Sequence, residues 1–426
     1  MEWPFPFRRV GVVGLARTGR ALVDALAPLG VSLFLSEVRS LSPGERAFLA
    51  EQGAAWEEGG HTSRLLATDL IVPSPGVPPT CPILAEARRR KTPLWSEIEL
   101  AFRLARPTAV IAVTGTNGKS TTVELVAAIL RAGGLAPVVA GNIGCPAIST
   151  VDAVSGRPWV LEVSSYQLEW TAVFRPTVAV WLNFAPDHLD HHGTLAAYFA
   201  AKARILARQR EGDTAILGRE ILSWTAPRAR HVDYGRVELP PGWGEGLPVH
   251  LQDDLRAAWA AAVAAFPGLE ASPPPYSEVA PALHQPHRLQ RVGEIGGIPF
   301  VDDSKGTNAH ATAAALAAIS GRVVLILGGR LKGGGYEVLV PLVRDKVRAC
   351  VLIGESQAYF AHLLASAGVP CDLADDPADA LRRAYRLVQP GDTVLLSPAC
   401  ASFDQFRDYA QRGEAFQRAF AALAAR

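Results

Sequence analysis

The stretch Ala109-Val-Ile-Ala-Val-Thr-Gly-Thr-Asn-Gly-Lys-Ser-Thr121 decides how this chain folds. A short apolar run leads into a turn with two glycines, and a helical pattern continues from Thr121 to Ala132. A strand, a glycine-rich loop and a helix in that order make a cradle for an anion. The glycines let backbone N–H groups curl around it, and the helix N-terminus adds a partial positive charge. Lys119 has the reach for a β- or γ-phosphate, and the Ser120 hydroxyl can ligate Mg²⁺. The first glycine of the general pattern GxxxxGK[ST] would fall at Val113; here the glycine is Gly115. The bland alternative is an ordinary glycine-rich turn. The strand before, the helix after and the Gly-Lys-Ser core oppose it.

The same alternation extends in both directions. Upstream, Val10-Gly-Val-Val-Gly14 precedes an amphipathic stretch from Arg20 to Leu29, and Ser32 to Glu37 and Leu70 to Pro73 are further strands. Downstream lie buried strands from Trp159 to Val163 and Thr177 to Trp181, then an alanine-rich helix from Leu255 to Phe266. The stretch from Pro267 to Pro286, with three prolines at its centre, reads as a connector. A third series follows, with strands at Val323 to Leu327, Cys350 to Ile353 and Thr393 to Leu396. Alternating βα units predict parallel sheets. At roughly 150 residues per domain, 426 residues predict three α/β domains, 1–94, 95–283 and 284–426.

Bulk properties exclude several classes. The 42 basic and 41 acidic residues leave a net charge of +1, with no drive toward nucleic acid or an anionic membrane. Hydrophobic content of 49% against 19% charged residues suits packed cores rather than disorder. Cys81, Cys145, Cys350, Cys371 and Cys400 are scattered and form no CxxC pair. That opposes a disulfide framework and a zinc site, and suits a reducing compartment. Residues 1–11 lack the apolar core of a signal peptide, and no run approaches the roughly 18 apolar residues of a membrane span. The expectation is a soluble, cytoplasmic protein without nucleic-acid or membrane partners.

The loop Thr114-Gly-Thr-Asn-Gly-Lys-Ser-Thr121 resembles that of the Mur ligases and folylpolyglutamate synthases. Four further segments, in order, are similar to the D-glutamate-adding branch of the Mur family. They are Glu162-Val-Ser-Ser-Tyr-Gln-Leu168, Asp187-His-Leu-Asp190, Asp303-Ser-Lys-Gly-Thr-Asn308 and Leu396-Ser-Pro-Ala-Cys-Ala-Ser402. The resemblance spans essentially the whole chain. It implies a Rossmann-like N-terminal domain for a UDP-linked substrate and a central P-loop-type ATPase domain with a mostly parallel sheet. It also implies a Rossmann-like C-terminal domain for D-glutamate and part of ATP. The implied reaction joins UDP-N-acetylmuramoyl-L-alanine to D-glutamate through an acyl phosphate, in the synthesis of peptidoglycan precursors for the cell wall. The implied cofactors are ATP, two Mg²⁺ ions and a CO2-derived carbamate on Lys202; the implied state is a monomer.

The resemblance also distributes roles. Gly115, Thr116, Asn117, Gly118, Lys119, Ser120 and Thr121 hold ATP, together with Arg288 on the transferring phosphate, Asp303 on the ribose and Lys305. Ser120, Glu162, His188 and Lys202 form the metal cluster, and Lys119, His188, Lys202 and Arg288 carry the catalysis. Mg²⁺ prefers oxygen donors, and a lysine carbamate supplies oxygen where an ammonium would repel the ions. Arg17, Thr18 and Arg39 align with UDP-binding positions, Ser74-Pro-Gly76 offers backbone N–H groups to phosphate, and Asn142 resembles a contact to the muramoyl-alanine arm. Thr307, Lys332, Ser402, Phe403 and Tyr409 align with the D-glutamate pocket.

Without the resemblance, Lys202 and Lys332 read as solvated lysines, and Glu162 as a solvated strand end. His191 and His192 match the family less well and read as surface residues. Gly14-Leu-Ala-Arg-Thr-Gly19 has Ala16 where a dinucleotide fingerprint needs glycine, so an NAD-dependent oxidoreductase with Glu37 on the ribose is a rival built on a broken motif. The family's HNxxN pattern near adenine falls on His250-Leu-Gln-Asp-Asp254, with both asparagines replaced. Other rivals are a sibling ligase or folylpolyglutamate synthase adding another amino acid, and a regulatory ATPase with no acceptor amine.

Overall fold

Strands buried on both faces of a parallel sheet read as unbroken apolar runs, because helices cover both sides. In a computed structural model describing residues 3–425, Val110, Ile111, Ala112 and Val113 are such a run, each at most 4% exposed. The first two residues of the stretch read for a targeting signal lie outside the described residues.

Three sheets result. The first contains β1 (Arg9–Val13), β2 (Ser32–Ser36), β3 (Ala55–Glu57) and β4 (Leu70–Pro73), in the order β3-β2-β1-β4, all parallel. The second contains β5 (Ala109–Thr114), β6 (Val138–Gly141), β7 (Pro158–Glu162), β8 (Val178–Trp181), β9 (Thr214–Leu217) and β10 (Arg230–Asp233). Its order is β10-β9-β8-β5-β7-β6, again all parallel. The third contains β11 (Gln290–Ile295), β12 (Ile298–Asp302), β13 (Val323–Gly328), β14 (Val347–Ile353), β15 (Cys371–Leu373) and β16 (Thr393–Leu396). Its order is β11-β12-β16-β13-β14-β15, parallel except for the β11–β12 hairpin.

By packing, the chain forms two compact units. One runs to Phe184 and resumes over His191–Ala282, so the first two sheets share a unit. Its core joins Leu22, Leu26 and Leu35 with Trp159, Leu161 and Trp181. The other unit comprises Ala185–Asp190 and the chain from Leu283 onward. Its third sheet is covered on one face by a cluster around Leu325, Leu352 and Phe360, and on the other by one around Phe300, Ile326 and Phe416.

Several elements depart from the sequence reading for local reasons. The first helix is Arg17–Leu26, three residues earlier than expected; Ala27–Leu29 is a separate 3₁₀ turn, closed by left-handed Gly30. The phosphate-loop helix starts at Lys119 because left-handed Gly118 (φ 85°) turns the chain directly into it. The alanine-rich helix is Val249–Ala265, so His250–Asp254 is its first part. The proline-rich stretch is not a bare connector. It holds short helices at Gly268–Ala271 and Tyr276–Val279 and a 3₁₀ turn at Ala280–Leu283, pinned by buried Leu269, Val279 and Leu283. Cys350 and Cys371, remote in sequence, are register partners on β14 and β15, both as free thiols. Among the described residues no helix is long and apolar enough to cross a membrane.

Candidate active site

The carboxyl end of a parallel sheet is where loops converge on a ligand. β5 lies between β7 and β8, with Val113 opposite Glu162 and Thr114 opposite Trp181. The loop 115–118 therefore emerges beside the end of β7 on one flank and the chain after β8 on the other. Asn183 ties it down: its Oδ1 accepts the N–H groups of Thr116 (3.1 Å) and Asn117 (2.9 Å), and its Nδ2 donates to Asn117 O at 3.2 Å. Lys119 folds back on the loop, donating to the carbonyls of Gly115 and Thr116 at 2.9 and 2.8 Å. Gly118 cannot be replaced without movement, since a Cβ there would meet Asp254 Oδ1 at 2.2 Å. Ser120 and Thr121 are buried in the helix's first turn.

Glu162 is 2% exposed, not a solvated strand end. Its Oε1 accepts Asn142 Nδ2 at 2.7 Å, while Oε2 has no hydrogen-bond partner among the described residues. A buried carboxylate oxygen left in that state is costly unless something binds it. Lys202 lies on the helix Leu195–Ala203 and is 1% exposed, not a solvated lysine. Its Nζ donates to Gly115 O at 2.7 Å, lies 3.5 Å from Thr114 Oγ1, and sits 4.8 Å from the Tyr198 ring centre. The structure thus brings Lys119, Ser120, Thr121, Glu162 and Lys202 around one loop.

Asn142 leads to the N-terminal sheet, because Arg17 donates to Gly144 O (3.0 Å) and Asn142 O (3.4 Å). Arg17 and Thr18 open a helix with no side-chain cap. Gly19 allows its close approach, since a Cβ there would lie 1.8 Å from Gly14 O. Ser74 is buried and its hydroxyl donates to Gly14 O at 3.1 Å, while Gly76 is exposed at the turn. Arg39 is drawn aside into an ion pair with Glu45 at 2.5 Å, which pulls the Glu45 carboxyl down to about 2. Glu37 accepts from the backbone of Leu15, Val38 and Arg39, so its carboxylate holds the turn together rather than facing a ribose.

His188 packs with the other unit, in the segment Ala185–Asp190. Its backbone is left-handed (φ 57°), and its N–H donates to Asp187 Oδ1 at 2.9 Å. Asp187 Oδ2 accepts Asn308 Nδ2 at 3.2 Å, Asp187 Oδ1 is 3.6 Å from Lys332 Nζ, and Lys332 Nζ donates to Thr307 Oγ1 at 3.1 Å. Lys332 is therefore held, with 15% of its side chain exposed. Lys305 donates to Gln285 Oε1 at 3.0 Å, and its Nζ is 5.7 Å from the Tyr409 ring centre. Ser402 is buried, and Phe403 and Tyr409 are exposed at 63% and 37%. Arg288 is half-buried on the turn that follows His287. Asp303 faces inward, accepting Leu289 N (3.2 Å) and Ser397 Oγ (2.7 Å); burial pushes its carboxyl up to about 7.

His191 and His192 are not surface residues. The His191 side chain is 8% exposed and pairs with Glu169 at 3.1 Å; His192 is buried, with Nε2 2.9 Å from Ser165 Oγ.

Comparison with known proteins gives three family matches: the MurD N-terminal domain over residues 9–83, the Mur ligase middle domain over 113–236 and the Mur ligase glutamate ligase domain over 287–400. Curated relatives named UDP-N-acetylmuramoylalanine–D-glutamate ligase include one from Salinibacter ruber, 38% identical over 96% of this chain and 97% of the relative. One from Frankia casuarinae is 40% identical, over 96% and 93%. The chain belongs to the UDP-N-acetylmuramoylalanine–D-glutamate ligase family. Membership makes it a Mur-type amino-acid ligase of peptidoglycan synthesis. Among solved structures, a MurF ligase from Thermotoga maritima in complex with ADP matches with TM-score 0.58 and 16% identity over 92% of this chain and 96% of that one. A Mycobacterium tuberculosis folylpolyglutamate synthase complexed with ADP and AMPPCP gives 0.56 and 15%, over 78% and 95%. These two likenesses show the fold.

In this Mur ligase the sequence reading passed over three groups at the phosphate loop. Asn183 lies four residues before the Asp187–Asp190 segment, and no spacing marks it as the loop's clamp. Tyr198 OH lies 3.3 Å from Thr116 Oγ1. Asp254, one of the two replaced asparagines, sits beneath Gly118, with Oδ1 3.5 Å from Thr122 Oγ1.

Proposed function

We propose that this Mur ligase forms the amide between UDP-N-acetylmuramoyl-L-alanine and D-glutamate, consuming ATP, in the cytoplasm and as a monomer. The observation that carries this reading is likeness end to end with ligases bearing that name, 38% identical over 96% of the chain. The three expected domains, 1–94, 95–283 and 284–426, then take the UDP-linked substrate, ATP, and D-glutamate with part of ATP.

The donor set fits Mg²⁺. Glu162 Oε2 is buried without a partner among the described residues, Ser120 is buried in the first turn of the helix that follows the phosphate loop, and oxygen is what this ion prefers. Ser120, Glu162, His188 and a carbamate on Lys202 are the residues we assign to hold two ions. Bound there, Mg²⁺ would offset phosphate charge and favour transfer. Such a carbamate would form by addition of the neutral Lys202 amine to CO2 with loss of a proton, so that an anionic oxygen donor would stand where the amine was.

The substrate's alanine carboxylate attacks the γ-phosphorus of ATP; the bond to the β-bridging oxygen breaks, and ADP leaves. Lys119 and Arg288 spread the charge of the transferring group. The D-glutamate amine, once deprotonated, attacks the acyl carbon, and the tetrahedral adduct expels phosphate to leave the amide. The loop 115–121 offers N–H groups to the ATP phosphates, with Asp303 and Lys305 as further contacts. Thr307, Lys332, Ser402, Phe403 and Tyr409 take the D-glutamate, whose two carboxylates need the cation and hydroxyls. Arg17, Thr18, Arg39, Ser74 and Gly76 take the uridine diphosphate, and Asn142 the muramoyl arm.

The test is ADP release with UDP-N-acetylmuramoyl-L-alanine and each of D-glutamate, L-lysine, meso-diaminopimelate and a folate acceptor system. Release that requires D-glutamate is expected. Release with a different acceptor rejects the substrate, and release with no acceptor favours a regulatory ATPase.

A further inference from the structure

Outside the groups used above, three donor atoms converge in the first unit. Glu169 follows directly on the short helix Ser165–Leu168, and His191 and His192 end the helix Leu189–His192. One ligand atom from each of the three lies within 4.8 Å of the others. We propose that Glu169, His191 and His192 bind a divalent first-row transition-metal ion of the Zn²⁺ class, through a residue set that shares none of the Mg²⁺ ligands assigned above.

The donor types select the ion. Two imidazoles and one carboxylate are the three protein ligands of a tetrahedral zinc site whose fourth position is left to water or substrate, whereas Mg²⁺ seeks six oxygens. Bonds of about 2.1 Å place two donors at most about 4.2 Å apart, so small side-chain rotations close the cluster. His191 Nε2 and Glu169 Oε2 are already 3.1 Å apart.

The surroundings orient the imidazoles. The Tyr166 ring lies 4.2 Å from His191 and stacks on His192 at 5.5 Å, and Tyr198 backs His192 at 5.2 Å. Ser165 Oγ, 2.9 Å from His192 Nε2, is the kind of outer hydrogen bond that fixes the tautomer of a ligating imidazole. Arg204 feels the charge of Glu169, but its guanidinium hydrogen-bonds the Thr171 carbonyl and hydroxyl. The side chains of Glu169 and His191 keep 18% and 8% exposure, which leaves an entry path for an ion.

The inference does not rest on the proposed reaction, and its readout is metal uptake. The full chain, stripped with EDTA and kept in excess Mg²⁺, is titrated with ZnCl2 against a chromophoric chelator. Wild type should take up Zn²⁺, His191→Gln and Glu169→Gln should each weaken that uptake by about 10-fold or more, and His188→Gln should leave it in place. X-ray absorption of the zinc-loaded His188→Gln protein should show two imidazoles. No uptake by wild type, unchanged uptake in both cluster variants, or loss in His188→Gln overturns the proposal. Melting curves without metal identify a variant that fails to fold; if His191→Gln is one, Glu169→Gln, at a partly exposed position, decides.

Discussion

Lys202 brings its amine into a place closed to water. At 1% exposure its Nζ is bonded to a loop carbonyl and sits against an aromatic ring, an arrangement a solvated lysine would not need. If its role is to carry a carbamate, Lys202→Ala should nearly abolish D-glutamate-dependent ADP release. A small carboxylate such as acetate should restore part of it by supplying the missing oxygen donors. Full activity in the unsupplemented variant removes the carbamate. Asn142 acts one step further out, orienting Glu162 through the 2.7 Å bond. Partners of that kind are worth about 10–100-fold in metal affinity. Asn142→Ala should therefore raise the Mg²⁺ concentration needed for half-maximal activity by about 10-fold; an unchanged Mg²⁺ dependence would separate Asn142 from any metal.

The phosphate loop works as an element because helices and strands from elsewhere hold its shape. Gly118 has φ 85° and rests on Asp254 of the helix Val249–Ala265. A left-handed alanine costs about 1–2 kcal/mol, and its Cβ would also collide with Asp254 Oδ1 at 2.2 Å. Gly118→Ala should lower the melting temperature and weaken binding of a non-hydrolysable ATP analogue. Adding Asp254→Ala should recover the part due to the collision and leave the backbone part. If the double variant is no better than the single one in calorimetry, Asp254 is not what confines the loop. The same helix carries a departure from the resemblance: at the second asparagine of the expected HNxxN pattern, this chain places a buried aspartate below the loop.

At the scale of the whole molecule, buried acids set the response to pH. Burial raises Glu97 from 4.5 to about 7 and Asp303 from 3.8 to about 7. The folded state holds these protons more tightly than the unfolded chain, so their contribution is fully present below about pH 4 and lost as pH rises through about 7. Glu45, Asp69 and Glu86, pulled down to about 2 by arginine partners, act in the opposite sense and lose their contribution only as pH falls toward 2. Those pairs are solvent-exposed and count for little. Glu97 accepts Ile148 N at 2.6 Å through Oε1, and Oε2 makes no hydrogen bond among the described residues. Glu97→Gln should flatten the fall in melting temperature between about pH 5 and 8 and raise it by about 2–4 °C at the alkaline end. A variant that melts earlier than wild type at pH 8 would mean that the ionised carboxylate is the form the fold uses.

The sequence by itself determined the three α/β series, the phosphate loop and the family, because each is written in contiguous residues: apolar runs of strand length, a Gly-Lys-Ser turn, and five segments in a fixed order. Short edge strands such as β3 and β15, three residues each, were beyond its reach, since so few residues show no period. Only the tertiary structure decided which polar side chains are enclosed. His191 and His192 looked like surface residues because solvation depends on what packs over a side chain, and Glu169 and Tyr166 come from another element. Asn183 and Asp254 became parts of the phosphate loop for the same reason. The sheet order set Cys350 opposite Cys371, and the packing of residues 185–190 put His188 with the second unit. Contacts between residues far apart in the chain carry no local signature, so burial, pairing and the convergence of ligands appear only when the chain has folded.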